Sequence, residues 1–483
     1  MAGLAGSESR FLVNEFRRVR RAFAMGFVTG AVYFTGTLYW ITTVMSTYGG
    51  IQTWVAMLVN ALMIATLALF PAICAALVYA FVRAHGPAGL LAAPVAWVAT
   101  ELGRTYMPDI GFPWVLLGYS QVTVLPIAQI ASIVGVYGVS MLVAAVSAAL
   151  AFIVVEPIGR RRFLPAAAMA AVLLGVGLWG SARLARSELT QMGEPIKVGI
   201  VQGNVDQAIK WDAAHASSIF NDHLRLTRHA LQAGAEFVMW PESSMPFHFE
   251  WDGIATERMR AMARASGVPI LFGSDQLLSR LENGRRVRDK LYNAAFMLRP
   301  DGATAGVYRK NHLVPFGEYV PFQKLLFFAA PLVEAVGDFS PGETIELLQV
   351  GGHRVSTAIC YEIVYSDLVR RSVVGGSELL TTITNDAWFG ASSAPYQHFA
   401  QASMRAIENG RYLARSANTG ISGIVDPYGR VLDQSGIFQQ AVIIGTVRFL
   451  TASTFYTRHG DVLAYASVAA TLALLALSLR RVQ

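Results

Sequence analysis

Six long apolar runs constrain this chain of 483 residues more than any other feature of its sequence. A helix that crosses a lipid bilayer needs about 20 consecutive apolar residues. Hydrophobic residues make up 54% of the chain and charged residues 15%, which is typical of a membrane protein that carries a sizeable soluble part. The runs lie at 22–45, 51–82, 88–104, 125–155, 163–182 and 461–480.

The runs are not equally convincing as membrane spans. The run at 88–104 is the weakest, because Glu101 and Arg104 lie at its end. The runs at 51–82 and 125–155 are longer than a bilayer requires. We therefore expect them to be tilted, kinked or partly outside the hydrocarbon core, and Pro71 is the expected site of one kink.

The segments between the runs alternate in basic charge, which predicts an orientation. Arginines occur near the N-terminus, at 82–87, at 159–163 and at the C-terminus, whereas 46–50 and 105–124 contain no Lys or Arg. With six spans, the positive-inside rule puts both termini in the cytoplasm and the long segment on the far side. The predicted organisation is a basic cytoplasmic N-terminus (1–21), a bundle of about five spans (22–182), a soluble domain (183–460) and a final span with a cytoplasmic tail (461–483).

The long segment 183–460 has the pattern of an α/β domain. Helical patterns at 213–233 and 397–410 lie between short apolar segments, and such alternation favours sheets covered by helices. The fold class predicted for the whole chain is thus an integral membrane α-helical bundle plus a soluble α/β domain. The predicted strands are 196–203, 235–242, 268–275, 293–300, 305–310, 353–360, 378–386, 412–418, 422–427 and 440–447.

Residues 315–336 are unusual for a soluble domain. They are strongly apolar but are interrupted by proline and charge, so they are too broken for a membrane span. Two interpretations stay open at equal weight: an interfacial segment or lid, and a loop packed on the core.

Three predicted strands end in a potentially reactive side chain: Glu242 in "WPE", Lys310 in "YRK" and Cys360 in "ICYE". Each has an ordinary explanation alone, namely a turn or ion-pair carboxylate, a solvated lysine and a packed core cysteine. Together they form a workable set for acyl transfer. A carboxylate accepts the thiol proton as a general base, and a charged lysine stabilises a developing oxyanion.

Other kinds of site are disfavoured. The histidines at 312, 353 and 398 lack metal-ligand spacing, and no serine elbow or phosphate loop occurs. Asp386 is a candidate metal ligand by residue type, but a role in a turn at the end of a strand is the favoured interpretation. We expect no metal, no cofactor and no disulfide between Cys74 and Cys360. The net charge of +7 is weak evidence for a nucleic-acid partner, and none is expected.

The strings "WPE", "YRKNHLVPFGEYVP" and "ICYE", in this order, resemble the Glu-Lys-Cys set of the nitrilase (carbon–nitrogen hydrolase) superfamily. The longer strings "GIVQGNVDQAIKW", "TNDAWFG" and "RAIENGRYLARSANTGISGIVDPYGR", with the flanking apolar runs, resemble the apolipoprotein N-acyltransferase family. The resemblance covers most of the chain, from about residue 20 to the last apolar run.

The resemblance implies an α-β-β-α sandwich on the periplasmic side of a bacterial inner membrane. Cys360 would be the nucleophile that takes an acyl chain from a phospholipid as a thioester, and Glu242 would be the base. Lys310 and the backbone N–H of Tyr361 would hold the oxyanion. The acyl group would then pass to the α-amine of the diacylglyceryl-cysteine N-terminus of an apolipoprotein.

The resemblance also implies secondary roles: Glu318, Tyr361 and Glu362 would support the site, and Trp211 would contact substrate. The family has eight spans, so two have no counterpart here before residue 20, and this even difference preserves the predicted sidedness. We expect a monomer. Two other functions stay open: a membrane-tethered amidase and a non-catalytic membrane scaffold. A transporter is disfavoured, because the runs carry almost no charge near their centres.

Overall fold

The chain divides into two units, Met1–Ala182 with Asp461–Gln483, and Arg183–Gly460. The computed structural model describes residues 2–282, 285–319 and 339–482. In these ranges the first unit is helical, and the second contains two β-sheets flanked by helices.

The first unit is built from long apolar helices, because a helix satisfies its own backbone hydrogen bonds where no water is present. Its long helices lack charge over most of their length. The helices are α1 (Ala2–Leu38), α2 (Trp40–Thr47), α3 (Thr53–His85), α4 (Ala93–Thr105), α5 (Leu125–Ala128), α6 (Ala131–Val155), α7 (Leu164–Arg186, which continues into the second unit) and α13 (Val462–Val482).

Several of these helices are suited to crossing a membrane. Among the described residues, four helices are long and apolar enough to cross a membrane, and a fifth span is added if Arg17–Leu38 and Trp40–Thr47, which are bent by 53°, form one broken span. The described chain then has five such helices, or four without that pair, against the six predicted. This unit is the predicted membrane-embedded bundle. The four long spans are Thr53–Thr105, Ala131–Val155, Arg160–Gln191 and Val462–Arg481.

The difference from the prediction lies at 88–104. There the structure has a 3-10 segment, Gly86–Ala92, followed by α4, which has only 13 residues and is shorter than a span requires. Gly86 adopts φ of 65°, which favours glycine, and breaks the helix. A Cβ on Gly89 would lie 2.3 Å from the backbone of Phe81, so the chain turns back closely against the end of α3.

The two over-long runs differ from each other. Pro71 lies inside α3, which continues past it to His85. The run at 125–155 is divided into α5 and α6, and Gly135 interrupts α6 with φ of 65° and ψ of −177°. A glycine thus breaks the helical geometry of the second run, whereas in the first run α3 continues through its proline.

The second unit contains two six-stranded sheets, and all ten predicted strands occur in them. The strands are β1 (Pro195–Gln202), β2 (Phe237–Met239), β3 (Ile270–Glu282), β4 (Arg285–Leu298), β5 (Thr304–Arg309), β6 (Leu348–Val350), β7 (His353–Ile359), β8 (Leu379–Thr384), β9 (Leu413–Ala417), β10 (Gly423–Val425), β11 (Val431–Gln434) and β12 (Ala441–Arg448). The first sheet has the order β12-β1-β2-β3-β4-β5 and the second β11-β10-β9-β8-β7-β6. The two short strands β6 and β11 were not predicted.

Helices cover the outer faces of the two sheets. They are α8 (Ala213–Gln232), α9 (Gly253–Ser266), α10 (Ser366–Val374) and α11 (Ala394–Asn409), with the short α12 (Phe455–His459) beside them. Side chains of α8 and α9, such as Phe220 and Met259, pack on the first sheet. Side chains from both sheets, such as Met239 and Ile359, form the core between them. The predicted α-β-β-α sandwich is confirmed.

The parallel strands decide where a site can form. β2 pairs in parallel with β1 and β3, and β8 pairs in parallel with β7 and β9. Every residue of β8 is buried, as expected for a central parallel strand. Because the carboxyl ends of parallel strands meet at one edge, residues that follow these strands share that edge.

Candidate active site

Glu242, Lys310 and Cys360 follow strands β2, β5 and β7, as predicted, and the structure brings them together. Lys310 Nζ lies 3.7 Å from Glu242 Oε1, and the charges of both residues act on the Cys360 thiol. All three side chains are buried, with exposed fractions of 7%, 1% and 9% in that order. Burial strengthens every electrostatic interaction among them.

The Glu242 carboxylate is held at both of its oxygens. Asn293 donates from Nδ2 to Glu242 Oε1 at 2.7 Å, and the backbone N–H of Asn385 donates to Oε2 at 2.8 Å. The turn that carries Glu242 lies directly over Gly273 of β3, where a Cβ would be 2.7 Å from the Glu242 Cα. A glycine at this position of the strand therefore gives the carboxylate its place above the sheet.

Lys310 remains charged in spite of its burial. Its Nζ donates to Glu318 Oε1 at 2.9 Å, and its backbone N–H donates to the Asn293 carbonyl at 2.9 Å. Burial alone lowers the pKa of Lys310, but the charges of Glu318 and Glu242 outweigh it and raise that pKa above its usual value. The site therefore contains a fixed ammonium group beside Glu242.

Glu318 and Asn293 complete this polar cluster. Asn293 Nδ2 also donates to Glu318 Oε1 at 3.0 Å, so one amide group bridges the two carboxylates. The backbone N–H of Val314 donates to Glu318 Oε2 at 2.8 Å, which fixes the carboxylate within its own loop. The segment 315–336, for which a lid and a packed loop are both open, begins in this loop, but its residues 320–336 lie outside the described part of the chain.

Cys360 occupies the turn between β7 and the 3-10 segment Cys360–Val364. Its φ of 52° is in the left-handed region, which is uncommon for a residue other than glycine and is often found at functional sites. Burial raises the pKa of the Cys360 thiol, and the Glu242 charge raises it further, while Lys310 opposes them. The thiol is therefore protonated at neutral pH.

Glu362 connects the turn that carries Cys360 with the turn that carries Lys310. Its Oε2 accepts from the backbone N–H of Ile359 at 2.8 Å. Its Oε1 accepts from the backbone N–H groups of Asn311 and His312, at 2.6 Å and 3.0 Å. Burial raises the pKa of Glu362 to about 7, although these hydrogen bonds and Lys310 oppose it. One carboxylate thus fixes the two turns relative to each other.

Tyr361 and Trp211 lie in different surroundings. Tyr361 is buried, and its ring centroid is 5.3 Å from that of Tyr365. Trp211 is 52% exposed, and its ring centroid lies 5.6 Å from Lys210 Nζ. Lys210 in turn donates to the backbone carbonyl of Glu242 at 3.3 Å. Trp211 is therefore next to the site through its neighbour Lys210, and its indole is accessible from outside.

Sequence reasoning missed three residues of the site: Asn293, Lys210 and Asn385. The available signal for Asn293 is a single amide in the apolar strand "LYNAAFML", and that for Lys210 is its place beside Trp211. Burial lowers the pKa of Lys210 to about 8, while the Glu242 charge opposes this. The residues that the structure describes contain no group of three or more His, Cys, Asp or Glu side chains arranged to hold a metal ion.

Two family models match the chain, one in each unit. The family described as "Apolipoprotein N-acyltransferase N-terminal domain" matches residues 10–149. The family described as "Carbon-nitrogen hydrolase" matches residues 197–455, which include Glu242, Lys310 and Cys360. The second match is the superfamily that the Glu-Lys-Cys strings resemble.

Curated relatives match over nearly the full chain. An apolipoprotein N-acyltransferase from Geobacter metallireducens is 42% identical over 96% of this chain and 88% of its own. A second, from Methylococcus capsulatus, is 34% identical over 91% and 84%. A solved amidase of the nitrilase superfamily from Nesterenkonia AN1 is 19% identical, with a TM-score of 0.42 over 57% of this chain and 98% of its own. The chain therefore belongs to the apolipoprotein N-acyltransferase family and is a membrane-embedded N-acyltransferase built on a carbon–nitrogen hydrolase domain.

Proposed function

We propose that the protein transfers an acyl chain from a membrane phospholipid, through a thioester on Cys360, to the α-amine of the diacylglyceryl-cysteine N-terminus of an apolipoprotein. This reaction is the last step of lipoprotein maturation. The observation that carries the proposal is the buried cluster of Glu242, Lys310 and Glu318 around Asn293, next to a cysteine in a left-handed turn.

In the first half-reaction, Glu242 acts as the general base. The Cys360 thiol is protonated at rest, so its proton must leave as the sulfur attacks the ester carbonyl carbon of the phospholipid. Glu242 accepts this proton and then gives it to the alcohol oxygen of the leaving lysophospholipid. The C–O ester bond breaks, the C–S bond forms, and the free enzyme becomes an acyl thioester.

Lys310 and the backbone N–H of Tyr361 stabilise the negative charge that develops on the carbonyl oxygen. The Lys310 ammonium is charged and buried, so its effect on an oxyanion is stronger than in water. Glu318 holds that ammonium at 2.9 Å and keeps it in place before substrate binds. Glu362 supports the same geometry, because it fixes the Cys360 turn against the Lys310 turn.

In the second half-reaction, the α-amine of the apolipoprotein attacks the thioester carbonyl carbon. Glu242 accepts a proton from the attacking nitrogen and returns it to the Cys360 sulfur as the C–S bond breaks. The products are an amide and the original thiol. One site thus serves two substrates in turn, which is ping-pong kinetics. The exposed Trp211 indole, beside the buried Lys210, is the proposed contact for substrate.

We further propose that the protein lies in the bacterial inner membrane with residues 183–460 on the periplasmic side. The support is the position of the arginines: Arg83 in the last turn of α3, Arg160–Phe163 before α7, and Arg480 and Arg481 at the end of α13. A fluorescent protein fused to the C-terminus should therefore fluoresce, because it lies in the cytoplasm. Alkaline phosphatase fused at the same place should be inactive. The opposite pattern overturns this orientation.

The function is tested in membranes that contain the full-length protein, a phospholipid labelled in its acyl chain and a diacylglyceryl peptide. We expect the label to appear in the peptide as an amide, with lysophospholipid as the second product. Labelled fatty acid without amide supports the alternative of a membrane-tethered amidase and overturns acyl transfer. No release of label at all supports the non-catalytic scaffold.

A further inference from the structure

We propose that His398 is a positioning residue of the oxyanion hole, which acts by donating a hydrogen bond to the carbonyl of Cys360 and so fixing the direction of the Tyr361 N–H. The inference rests on the proposed function, because it needs an oxyanion at that N–H. It adds a residue that lies on α11, behind the cysteine, and that is not among the residues proposed to act in catalysis.

The geometry at the Cys360 carbonyl carries the proposal. His398 Nε2 lies 3.1 Å from the Cys360 carbonyl oxygen, and the histidine is fully buried, with 0% of its surface exposed. No cis peptide bond occurs among the residues that the structure describes, so the peptide between Cys360 and Tyr361 is trans. In a planar trans peptide the C=O and the N–H point in opposite directions. A partner that holds the carbonyl on one side therefore aims the Tyr361 N–H to the other.

The hydrogen of this bond must be on His398 Nε2. A carbonyl oxygen only accepts, so Nε2 is the donor whatever the state of the other ring nitrogen. Burial and the charge of Arg415 lower the pKa of His398, while Asp386 opposes them. In a neutral ring Nδ1 accepts from Arg415 Nη2, which lies 3.1 Å away, and in a protonated ring it donates to Asp386 Oδ1, which lies 3.0 Å away.

Buried groups on three other elements hold the imidazole ring. Arg415, on β9, also donates from Nη2 to Asp386 Oδ2 at 2.8 Å. Asp386 Oδ1 lies 3.0 Å from His398 Nδ1 and accepts from Thr384 Oγ1 at 2.8 Å. A Cβ on Gly420 would lie 2.2 Å from Asp386 Oδ2, so only glycine leaves room for this arrangement. The ring is thus fixed by a network and does not merely fill space.

The cysteine turn needs such a clamp on its carbonyl side. A residue in the left-handed region is strained by about 1–3 kcal/mol unless its surroundings hold it there. Glu362 holds the backbone N–H of Ile359 on the amino side of Cys360, and His398 holds the Cys360 carbonyl on the other. Without the second contact, the peptide plane that carries the Tyr361 N–H is free to rotate out of the direction that the reaction requires.

Two reactions of Cys360 separate this role from simple packing. Alkylation by iodoacetamide attacks a saturated carbon and forms no oxyanion, so it depends on the thiol alone. Thioester formation from a labelled phospholipid forms an oxyanion and needs the Tyr361 N–H. A loss of packing slows both reactions, whereas a misdirected N–H slows only the second.

The matched variants are His398→Gln and His398→Asn. Both carry an amide, but the longer glutamine reaches the position of Nε2, and the asparagine reaches only that of Nδ1. We expect H398N to lose about 10²-fold in thioester formation, the usual effect of one oxyanion donor, and to keep its alkylation rate. H398Q should recover most of the thioester rate. Cys360→Ser gives the background alkylation of Cys74.

Each outcome has a defined meaning. Equal losses of both rates in a folded H398N protein, or full thioester formation in it, overturn the role of His398. Wild-type protein that forms no thioester from phospholipid overturns the proposed function instead. If thermal melting shows that H398N does not fold, the same two rates are measured for Asp386→Asn, in which the ring loses its anionic neighbour. The ratio of thioester formation to alkylation should fall in that variant as well, and an unchanged ratio overturns the proposal.

Discussion

The two units both bury charged side chains, but they use them in different ways. In the membrane unit, Glu101 and Arg104 are 4% and 3% exposed. Arg104 Nη1 donates to the carbonyl of Trp114 at 2.9 Å, and the backbone N–H of Leu117 donates to Glu101 Oε1 at 2.7 Å. These charges satisfy backbone groups of the segment that follows α4, at residues where no helical hydrogen bond does so.

In the second unit, the buried charges are mainly held by one another. Lys310 lies 2.9 Å from Glu318 and 3.7 Å from Glu242, and Asn293 bridges the two carboxylates. The cluster lies beside a protonated thiol in a left-handed turn. The comparison teaches that burial of charge is not by itself a sign of catalysis. The two cases differ in what lies beside the charges: only backbone groups of the following segment are bound by Glu101 and Arg104 in the contacts above, whereas Glu242 and Lys310 lie beside a cysteine thiol.

The two units should differ most in the effect of a Cys→Ser substitution on acyl transfer, since each unit contains one cysteine. We expect Cys360→Ser to trap no thioester and to lose at least about 10³-fold in acyl transfer, because the nucleophile is gone. Cys74→Ser, in α3, is the matched control and should transfer at the normal rate. The measurement is label transfer from phospholipid to peptide amide. Normal amide formation by C360S would show that Cys360 is not the nucleophile.

The next largest effect separates two carboxylates that share Asn293 and Lys310. Glu242→Gln should slow thioester formation by about 10²–10⁴-fold, because it removes the general base. Glu318→Gln keeps the base and only weakens the hold on the ammonium, so its loss should be clearly smaller. The measurement is the single-turnover rate of thioester formation for the two variants. Equal losses contradict the division of roles between base and supporting carboxylate.

The pH dependence is a smaller effect and depends on Glu362. Its pKa of about 7 lies above the ordinary value of 4.5, so the carboxylate gains a proton as the pH falls through 7. Protonation weakens its hold on the backbone N–H groups of Ile359, Asn311 and His312. Thioester formation should therefore fall by about fivefold between pH 7 and pH 6, as the ionised fraction falls, and then level off at the rate of the protonated form.

The effect of the same group on folding has the opposite sign. A carboxyl whose folded-state pKa is raised binds protons more readily when folded, so its contribution to stability falls as the pH rises from 4.5 to 7.

The control for the pH dependence of thioester formation is Glu362→Gln, which resembles the protonated form. It should show a low rate of thioester formation without the step near pH 7. A step that persists in E362Q contradicts the assignment to Glu362.

The strand-end residues were predictable from sequence, because the signals are local. An apolar run that ends in Glu242, Lys310 or Cys360 shows both the strand and the turn. Asn293 was not predictable, because its role depends on two carboxylates that come near it only when β4 pairs and the loop with Glu318 folds back. Long-range contacts of this kind leave only a weak trace in the sequence.

The span at 88–104 shows the limit of reading hydropathy alone. Its composition is apolar, but Gly86 and the turn against α3 divide it, and only 13 residues form α4. Glu101 and Arg104 weakened the prediction, and the structure gives the reason for their presence, since both are used by the backbone of the next segment. Strands β6 and β11 escaped prediction because three and four residues carry too little pattern.

The smallest effect on the reaction, and the sharpest test of the comparison, is expected for Arg104→Met. This variant leaves the carbonyl of Trp114 without the Arg104 donor, while Tyr33 still donates to the carbonyl of Val115, so it should destabilise the membrane unit by about 1–3 kcal/mol. The rate of acyl transfer per folded molecule should stay within about twofold of the wild type, far below the loss of about 10²-fold that follows removal of one oxyanion donor. Arg160→Met, at an exposed arginine, is the matched control and should change neither the melting temperature nor the rate. A large loss of rate in fully folded R104M would mean that a charge bound to backbone groups in the membrane unit also serves catalysis. The buried charges of the two units would then not differ in function.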